Sequence, residues 1–230
     1  MDAAARASHA APDQHSRTLK ARKIERLLGP GVLRDGAALL DIGAGSGWIA
    51  HYFARHPRHR LSVSAVDARD ERVAKDGYVF RQVTGAALPF ADASFGCVGS
   101  AFLLRNLADL RGGLAEMRRV TAPGGSVVAL EITQPTLPGW RQAFRLYFHH
   151  VVPAVGALIA GNREAYTYLP QSVDRFVTPG ELARLMEAVG LRDVRVRRVG
   201  LGTVTIHVGH VGHVGHVHSI GRVGRPSAAA

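Results

Sequence analysis

The sequence predicts an α/β fold: a doubly wound, mostly parallel sheet with an antiparallel hairpin at its C-terminal edge and a helical insertion. Three observations point there. Short apolar runs alternate with segments whose apolar residues recur at helical spacing, the rhythm of a parallel sheet covered on both faces. The stretch Leu40 to Ala50, LDIGAGSGWIA, passes from an apolar run through three alternate glycines into an amphipathic segment. Finally, two β-prone segments, Val194 to Val199 and Thr203 to Val208, follow one another with no helix between them, as a hairpin requires.

Taken in order, residues 1–14 are small and polar without a hydrophobic period, and are expected to form a mobile arm ahead of a main domain over 15–209. Ile24, Leu27 and Leu28 mark one face of a short helix stopped by Gly29 and Pro30. Ala37 to Ile42 reads as a strand buried on both faces. Trp48, Ile49, Tyr52 and Phe53 then line a helix that Pro57 closes. Leu61 to Asp67 is the second strand, and further strands are expected at Tyr78 to Gln82 and Gly96 to Phe102. Leu107, Leu110, Leu114, Met117 and Val120 form the stripe of a helix. Pro123-Gly124-Gly125 reads as a turn before a buried strand from Ser126 to Ile132. Thr178-Pro179-Gly180-Glu181 is a capping box with proline at the first helical position, and Leu182, Leu185, Met186 and Val189 follow as that helix's buried face.

An insertion at 134–177 separates the last parallel strand from the capped helix. It holds Trp140, Phe144, Tyr147, Phe148, Tyr166 and Tyr168, and connections of such length usually cover a substrate. The end of the chain repeats His-Val-Gly, with imidazoles at His207, His210, His213, His216 and His218. With no carboxylate or cysteine beside them and glycine at every third place, these read as a low-complexity tail over 210–230 rather than a metal site.

Composition narrows the functional classes. Apolar residues make up 47% of the 230, enough for one good core. A single cysteine, Cys97, in an apolar run excludes a disulfide framework and a thiolate metal cluster, and fits a reducing compartment. No basic-then-apolar segment opens the chain, and the longest apolar run, Val151 to Ala160, is shorter than the ~20 residues of a spanning helix. A cytoplasmic location, at most peripheral to a membrane face, is the expectation. The net charge of +11 rests almost wholly on arginine. It suits contact with an anionic bilayer or nucleic acid without choosing between them, and GC-biased codons produce the same signature.

The glycine turn carries the cofactor argument. A dinucleotide fingerprint reads G-x-G-x-x-G, but the third position counted from Gly43 is Trp48, and the pattern here is Asp41-x-Gly43-x-Gly45-x-Gly47. A carboxylate beside a pyrophosphate cradle costs Coulomb energy in a partly dry cleft. Asp41 suits a ligand with a positive group, and S-adenosyl-L-methionine has an ammonium, a sulfonium and ribose hydroxyls. The turn would offer backbone N–H groups and a helix N-terminus to its carboxylate. Asp67, at the end of the second strand, is placed to accept from the ribose.

These residues, with ALPFADASF at 87–95 and TAPGG at 121–125, resemble the Rossmann-like S-adenosylmethionine-dependent methyltransferases. AFLLRNLADL at 101–110, EITQP at 131–135, YFHHVVPAVG at 147–156, NREAYTYLPQSVDRF at 162–176 and GLGTVTIHVG at 200–209 are similar to the quinone-biosynthesis C-methyltransferases, which methylate the ring of demethylmenaquinol or a ubiquinone precursor. The likeness covers most of residues 40–209 and departs in three places. The N-terminal segment is short, Thr84-Gly85 stands where an Asp or Asn followed by Ala is commoner, and Gly96 replaces an acid.

The resemblance implies a cofactor set of Asp41, Gly43, Gly45, Ser46, Gly47, Asp67, Thr84, Gly85 and Ala101, with no metal. It also implies an acceptor site built on the Leu-Arg-Asn motif and the tyrosine-rich segment. Arg105 is the candidate that stabilises the developing enolate and Asn106 orients the acceptor; Tyr166 and Tyr168 wall the pocket or donate to the ring oxygens. Arg105 bridging the following helix is the structural alternative, and Glu131 is expected either to face the site or to cap the insertion. The apolar piece from Tyr147 to Ala160, flanked by Arg141, Arg145 and Arg163, would admit a polyprenyl tail from a membrane surface. Two other readings remain: a methyltransferase of the same fold with another small aromatic or lipid acceptor, and an RNA-binding methyltransferase or pseudo-enzyme module. No basic-aromatic RNA motif supports the latter. Trp48 disfavours a dehydrogenase.

Overall fold

The apolar runs within 38–42, 62–67, 95–101 and 121–132 form strands, and successive residues of those strands feed two separate cores. The computed structural model describes residues 3–28, 31–85, 87–135, 137–151 and 170–212. Helix α1 (Ala3–Leu27) is followed by β1 (Ala38–Ile42), α2 (Trp48–Ala54), β2 (Ser62–Asp67), β3 (Val79–Gln82) and β4 (Phe95–Ala101). A 3-10 turn (Leu104–Asn106), α3 (Leu110–Val120), β5 (Thr121–Ile132) and α4 (Pro138–Leu146) come next, α4 continuing as a π turn (Tyr147–Val151). A short helical piece spans 170–175, and α5 (Pro179–Ala188), β6 (Leu191–Val199) and β7 (Val204–Val211) complete the described chain.

The seven strands form one sheet in the order β3-β2-β1-β4-β5-β7-β6. β1 pairs in parallel with both β2 and β4, as β2 does with β3 and β4 with β5, whereas β7 runs antiparallel between β5 and β6. The predicted sheet class and C-terminal hairpin are therefore present. Leu39, Val63, Cys97, Val128 and Ile206 face α1 and α2, packing on Ile24, Ile49 and Phe53. Their neighbours Leu40, Val66, Val98, Val127 and Ala129 face α3 and α5, packing on Leu114, Met117, Leu182 and Met186. Such two-sided burial is what makes parallel strands read as unbroken apolar runs. Burial also pushes the Cys97 thiol up to about 12, which leaves it an inert core residue.

Three details differ from the sequence expectation. The first helix begins at Ala3, so residues expected as a mobile arm are helical: alanines dominate the segment, and alanine favours helix even where no apolar stripe announces one. Pro123-Gly124-Gly125 lies inside β5, where Ala122 to Gly125 bulge opposite Gly96 between the pairs Phe95–Thr121 and Cys97–Ser126. Lastly, β7 runs to Val211, so the repeat begins inside the sheet rather than in a tail from 210. A triplet repeat on a two-residue period alternates faces: His207 is fully buried, while His210 Nδ1 lies 3.0 Å from Ser126 Oγ. Residues 213–230, with His213, His216 and His218, lie outside the described residues, and no metal-binding cluster occurs among those described.

Candidate active site

The strand order reverses between β1 and β4, and in open α/β sheets ligands bind at that crevice, outside the carboxyl ends of the strands. The glycine turn leaves β1 there. Gly43, Gly45 and Gly47 have φ of 75°, 50° and 82°, a left-handed conformation closed to most L-residues. Gly43 N–H and Ala44 N–H donate to Val66 O at 2.8 and 3.1 Å, locking the turn to β2. A Cβ at Gly47 would run into the Tyr78 hydroxyl and the Ala74 carbonyl, themselves hydrogen-bonded to each other. Glycine at Gly47 is thus demanded by space as well as by conformation.

Asp41, near the end of β1, is 3% exposed; it accepts from Ala50 N–H in α2, and its Oδ2 is buried without a partner. Burial pushes its pKa up to about 7; the charge of Arg17 and the Ala50 bond pull it down, and Asp67 pushes it up again. Ser46 Oγ in the turn, Trp48 Nε1 at the first residue of α2 and Ser100 Oγ near the end of β4 are likewise buried without partners. Unsatisfied polar atoms gathered at one crevice fit a polar ligand, and the unpaired carboxylate oxygen fits a cationic one. A pyrophosphate would drive Asp41 further from ionisation. The residues present therefore fit S-adenosylmethionine and disfavour a dinucleotide.

Asp67 stands on the same crevice, half-buried, with Oδ2 accepting from Gly45 N–H at 2.9 Å and Oδ1 from Arg69 N–H at 3.2 Å. Each carboxylate oxygen keeps a lone pair for a ribose hydroxyl, but Gly45 N–H is already used and cannot serve the ligand as the glycine turn suggested. Val83 N–H donates to Asp67 O at 2.9 Å, which brings exposed Thr84 and Gly85 to the rim beside it. Ala101 is buried at the end of β4.

At that same end Glu131, fully buried on β5, accepts from Leu104 N–H at 2.7 Å and from Arg105 Nη1 at 2.9 Å. Burial raises the Glu131 pKa, while the charge and hydrogen bonds of Arg105 oppose the rise. Glu131 therefore lies beneath Arg105, and the arginine's bridge is to this strand rather than to the following helix. Arg105 Nε remains buried without a partner. Asn106, next to it, is exposed. Tyr166 and Tyr168 lie outside the described residues.

Three residues had no signal in the sequence. Phe102, with φ of 64°, turns its ring beneath Lys20 at 4.6 Å, Arg17 at 5.6 Å and Arg105 at 5.7 Å. Arg17 and Lys20 come from α1, whose Ala21 and Ile24 are buried in the core, so the first helix lies across this end of the sheet. His207 does not reach the site: its Nε2 bonds Pro179 O at 2.9 Å, and burial lowers its pKa. His149 Nε2 sits 2.8 Å from Asp174 Oδ2, and Gln134 donates to Asp174 Oδ1 at 2.6 Å. Beside them a cavity of about 310 Å3 opens just past Glu131, between Ile132, Thr133, Arg141, Phe176, Thr178 and Arg198.

Residues 13–211 match the ubiE/COQ5 methyltransferase family. The demethylmenaquinone methyltransferase of Deinococcus radiodurans is 48% identical over 130 residues, 56% of this chain and 54% of that protein. The demethylmenaquinone methyltransferase of Roseiflexus castenholzii is 38% identical over 176 residues, 74% of each chain. The ubiquinone/menaquinone biosynthesis C-methyltransferase UbiE of Hahella chejuensis is 34% identical over 188 residues, 77% of this chain and 76% of its own. The chain thus spans about half of the Deinococcus protein and about three quarters of the other two. Among solved structures, a SAM-dependent methyltransferase from Aquifex aeolicus superposes with a TM-score of 0.58 at 17% identity, covering 83% of this chain and 89% of that one. Haemonchus contortus phosphoethanolamine N-methyltransferase 2, in complex with S-adenosyl-L-methionine, gives 0.59 at 14% identity, covering 84% and 52%. At such identities these two speak to the fold alone. With an acid-flanked glycine cradle at the switch point of its sheet and a family match over residues 13–211, the chain belongs to the ubiE/COQ5 methyltransferase family and is an S-adenosylmethionine-dependent methyltransferase.

Proposed function

We propose that the methyl group goes to a ring carbon of a prenylated hydroquinone of the demethylmenaquinol or ubiquinone-precursor class. The observation that carries this reading is the buried Glu131–Arg105 pair, which fixes a guanidinium at the end of β4 beside the cofactor crevice. The names borne by the relatives above support the acceptor class.

S-adenosylmethionine supplies an electrophilic methyl on a sulfonium. Held by Asp41, the Gly43 to Gly47 turn and Asp67, the donor would pass that methyl to a ring carbon and leave as S-adenosylhomocysteine, while the ring hydroxyl would give up its proton. The hydrogen on that carbon then moves to oxygen as aromaticity returns, so one proton is released per turnover. Negative charge develops on the ring oxygen, and a preorganised cation in a water-poor site lowers that barrier. Arg105 has this role, with Glu131 holding its orientation, Asn106 aligning the acceptor, and Tyr166 and Tyr168 walling the ring or donating to its oxygens. The rest is near-attack positioning and exclusion of water. A lipid-tailed acceptor makes contact with the inner membrane face part of the reading.

Complementation of bacterial strains blocked in menaquinone or ubiquinone methylation, with mass analysis of the quinone pool, tests it. The methylated quinone should reappear. An unmethylated pool in cells making folded, cofactor-binding protein would overturn the acceptor assignment.

A further inference from the structure

The start of α4 and the tip of the β6–β7 hairpin meet at the surface. Trp140 Nε1 donates to Leu201 O at 3.1 Å, pinning an exposed indole to the hairpin tip. Leu201 is 79% exposed, Leu137 at the N-cap of α4 69%, and Tyr147, two turns after Trp140, 55%. The inward edge of that helical face is used by Phe144 and Phe148, which stack on each other and pack on Val173 and Ile132. Its outward edge therefore presents aliphatic and amphipathic aromatic side chains to solvent. Arg141 and Arg145 on α4 and Arg198 on β6 are exposed near it, outnumbering the nearby carboxylate Asp174, which accepts from Gln134 at 2.6 Å.

We propose that this surface docks on an anionic phospholipid bilayer, with Leu137, Trp140 and Leu201 entering the interface and the arginines taking lipid phosphates. Tryptophan and leucine beside arginines suit the boundary between headgroups and acyl chains, where the rings bury their apolar body and the cations meet negative charge. A second copy of the chain is the poorer occupant, since a two-fold contact would set the same arginines against themselves. The cavity past Glu131 is bordered by Pro135, Arg141 and Arg198, so its mouth adjoins the docking surface. The biological sense of the surface rests on the prenylated acceptor proposed above; its existence does not.

The test uses the full chain and vesicles without substrate. The two tryptophans are Trp48 and Trp140, so a Trp48→Phe background, used for the fluorescence measurement alone, isolates Trp140, and the affinity and partitioning controls use the chain with Trp48 intact. On phosphatidylglycerol-containing vesicles its emission should shift to the blue and be quenched by brominated acyl chains, with little change on pure phosphatidylcholine. Leu201→Asp should weaken partitioning about tenfold while circular dichroism and S-adenosylhomocysteine affinity stay unchanged. Binding that leaves Trp140 unquenched and is insensitive to Leu201→Asp would overturn the surface, because cationic residues elsewhere would then account for it. Equal binding to neutral vesicles would overturn the arginine assignment, and a dimer broken by Leu201→Asp would hand the face to a second copy. Vesicle binding without quinol methylation would remove the acceptor and leave the surface standing; methylation of a short-tailed quinol without vesicle binding would do the reverse.

Discussion

Asp41 is a buried acid with one unpaired oxygen, and its titration makes a signed prediction. Its pKa stands at about 7 against an ordinary 3.8, so between those values the folded, cofactor-free protein holds a proton that the unfolded chain has released. The stability it contributes is fully present below about pH 4 and lost as pH rises through about 7, on the order of 4 kcal/mol in all. Thermal melts of the cofactor-free protein should show this decline, and Asp41→Asn should flatten it. Binding of a cationic donor favours the ionised carboxylate, so S-adenosylmethionine affinity should rise with pH up to about 7, by at most about tenfold per pH unit. Calorimetry in buffers of different ionisation enthalpy should then register proton release.

At Gly47, the alanine variant combines a left-handed backbone with a clash against Tyr78 and Ala74. It should cost about 1–3 kcal/mol of stability and weaken cofactor binding, both readable from melts with and without S-adenosylhomocysteine. Arg105→Ala should lower kcat by about a hundredfold or more with cofactor affinity retained, and also cost about 3–5 kcal/mol because Glu131 is left buried and alone. The double variant Arg105→Met with Glu131→Gln separates the two effects. Stability should largely return, whereas turnover should not.

At the scale of elements, the ends of helices were the clearest text. The capping box is present in full: Glu181 N–H donates to Thr178 Oγ1 at 3.3 Å and Thr178 N–H to Glu181 Oε2 at 2.8 Å. Helix α3 depends on a similar device, since Asp109 accepts from Gly112 N–H at 2.8 Å at the head of a first turn weakened by two glycines. Asp109→Ala should cost about 1 kcal/mol, visible as a lower Tm, with cofactor affinity unchanged. What was illegible at this scale has physical reasons. An alanine-rich helix start has no apolar period, so α1 was expected later than it begins. The Ala122 to Gly125 bulge looks like a turn in sequence because proline and glycine mark both. Phe102 adopts its positive φ with nothing in the residue type to announce it, and the cation cluster over its ring pairs α1 with β4 across a distance no local pattern encodes.

For the whole molecule, parallel strands buried on two sides were readable as compact apolar runs, and the Leu39/Leu40 alternation into separate cores follows from the two-residue period. Which strands are neighbours was not readable from those runs, yet the site depends on it. The reversal of order between β1 and β4 puts Asp41, Asp67 and Ala101 around one crevice, and the β4–β5 pairing lays Glu131 under Arg105. Of the residues proposed for the cofactor, Asp41 to Gly47 are contiguous and so readable as one motif, whereas Asp67 and Ala101 join them only through the strand order. Of those proposed for the acceptor, Arg105 and Glu131 meet only through the sheet, and Tyr166 and Tyr168 lie outside the described residues.

The most direct test of the account is a methyl-transfer assay on the purified chain, with isotopically labelled S-adenosylmethionine and a short-tailed demethylmenaquinol held reduced. One labelled methyl should appear on a ring carbon, located by mass fragmentation and NMR, and should be lost in Arg105→Ala. Label on a ring oxygen, or no transfer from a protein that binds the donor, would contradict it.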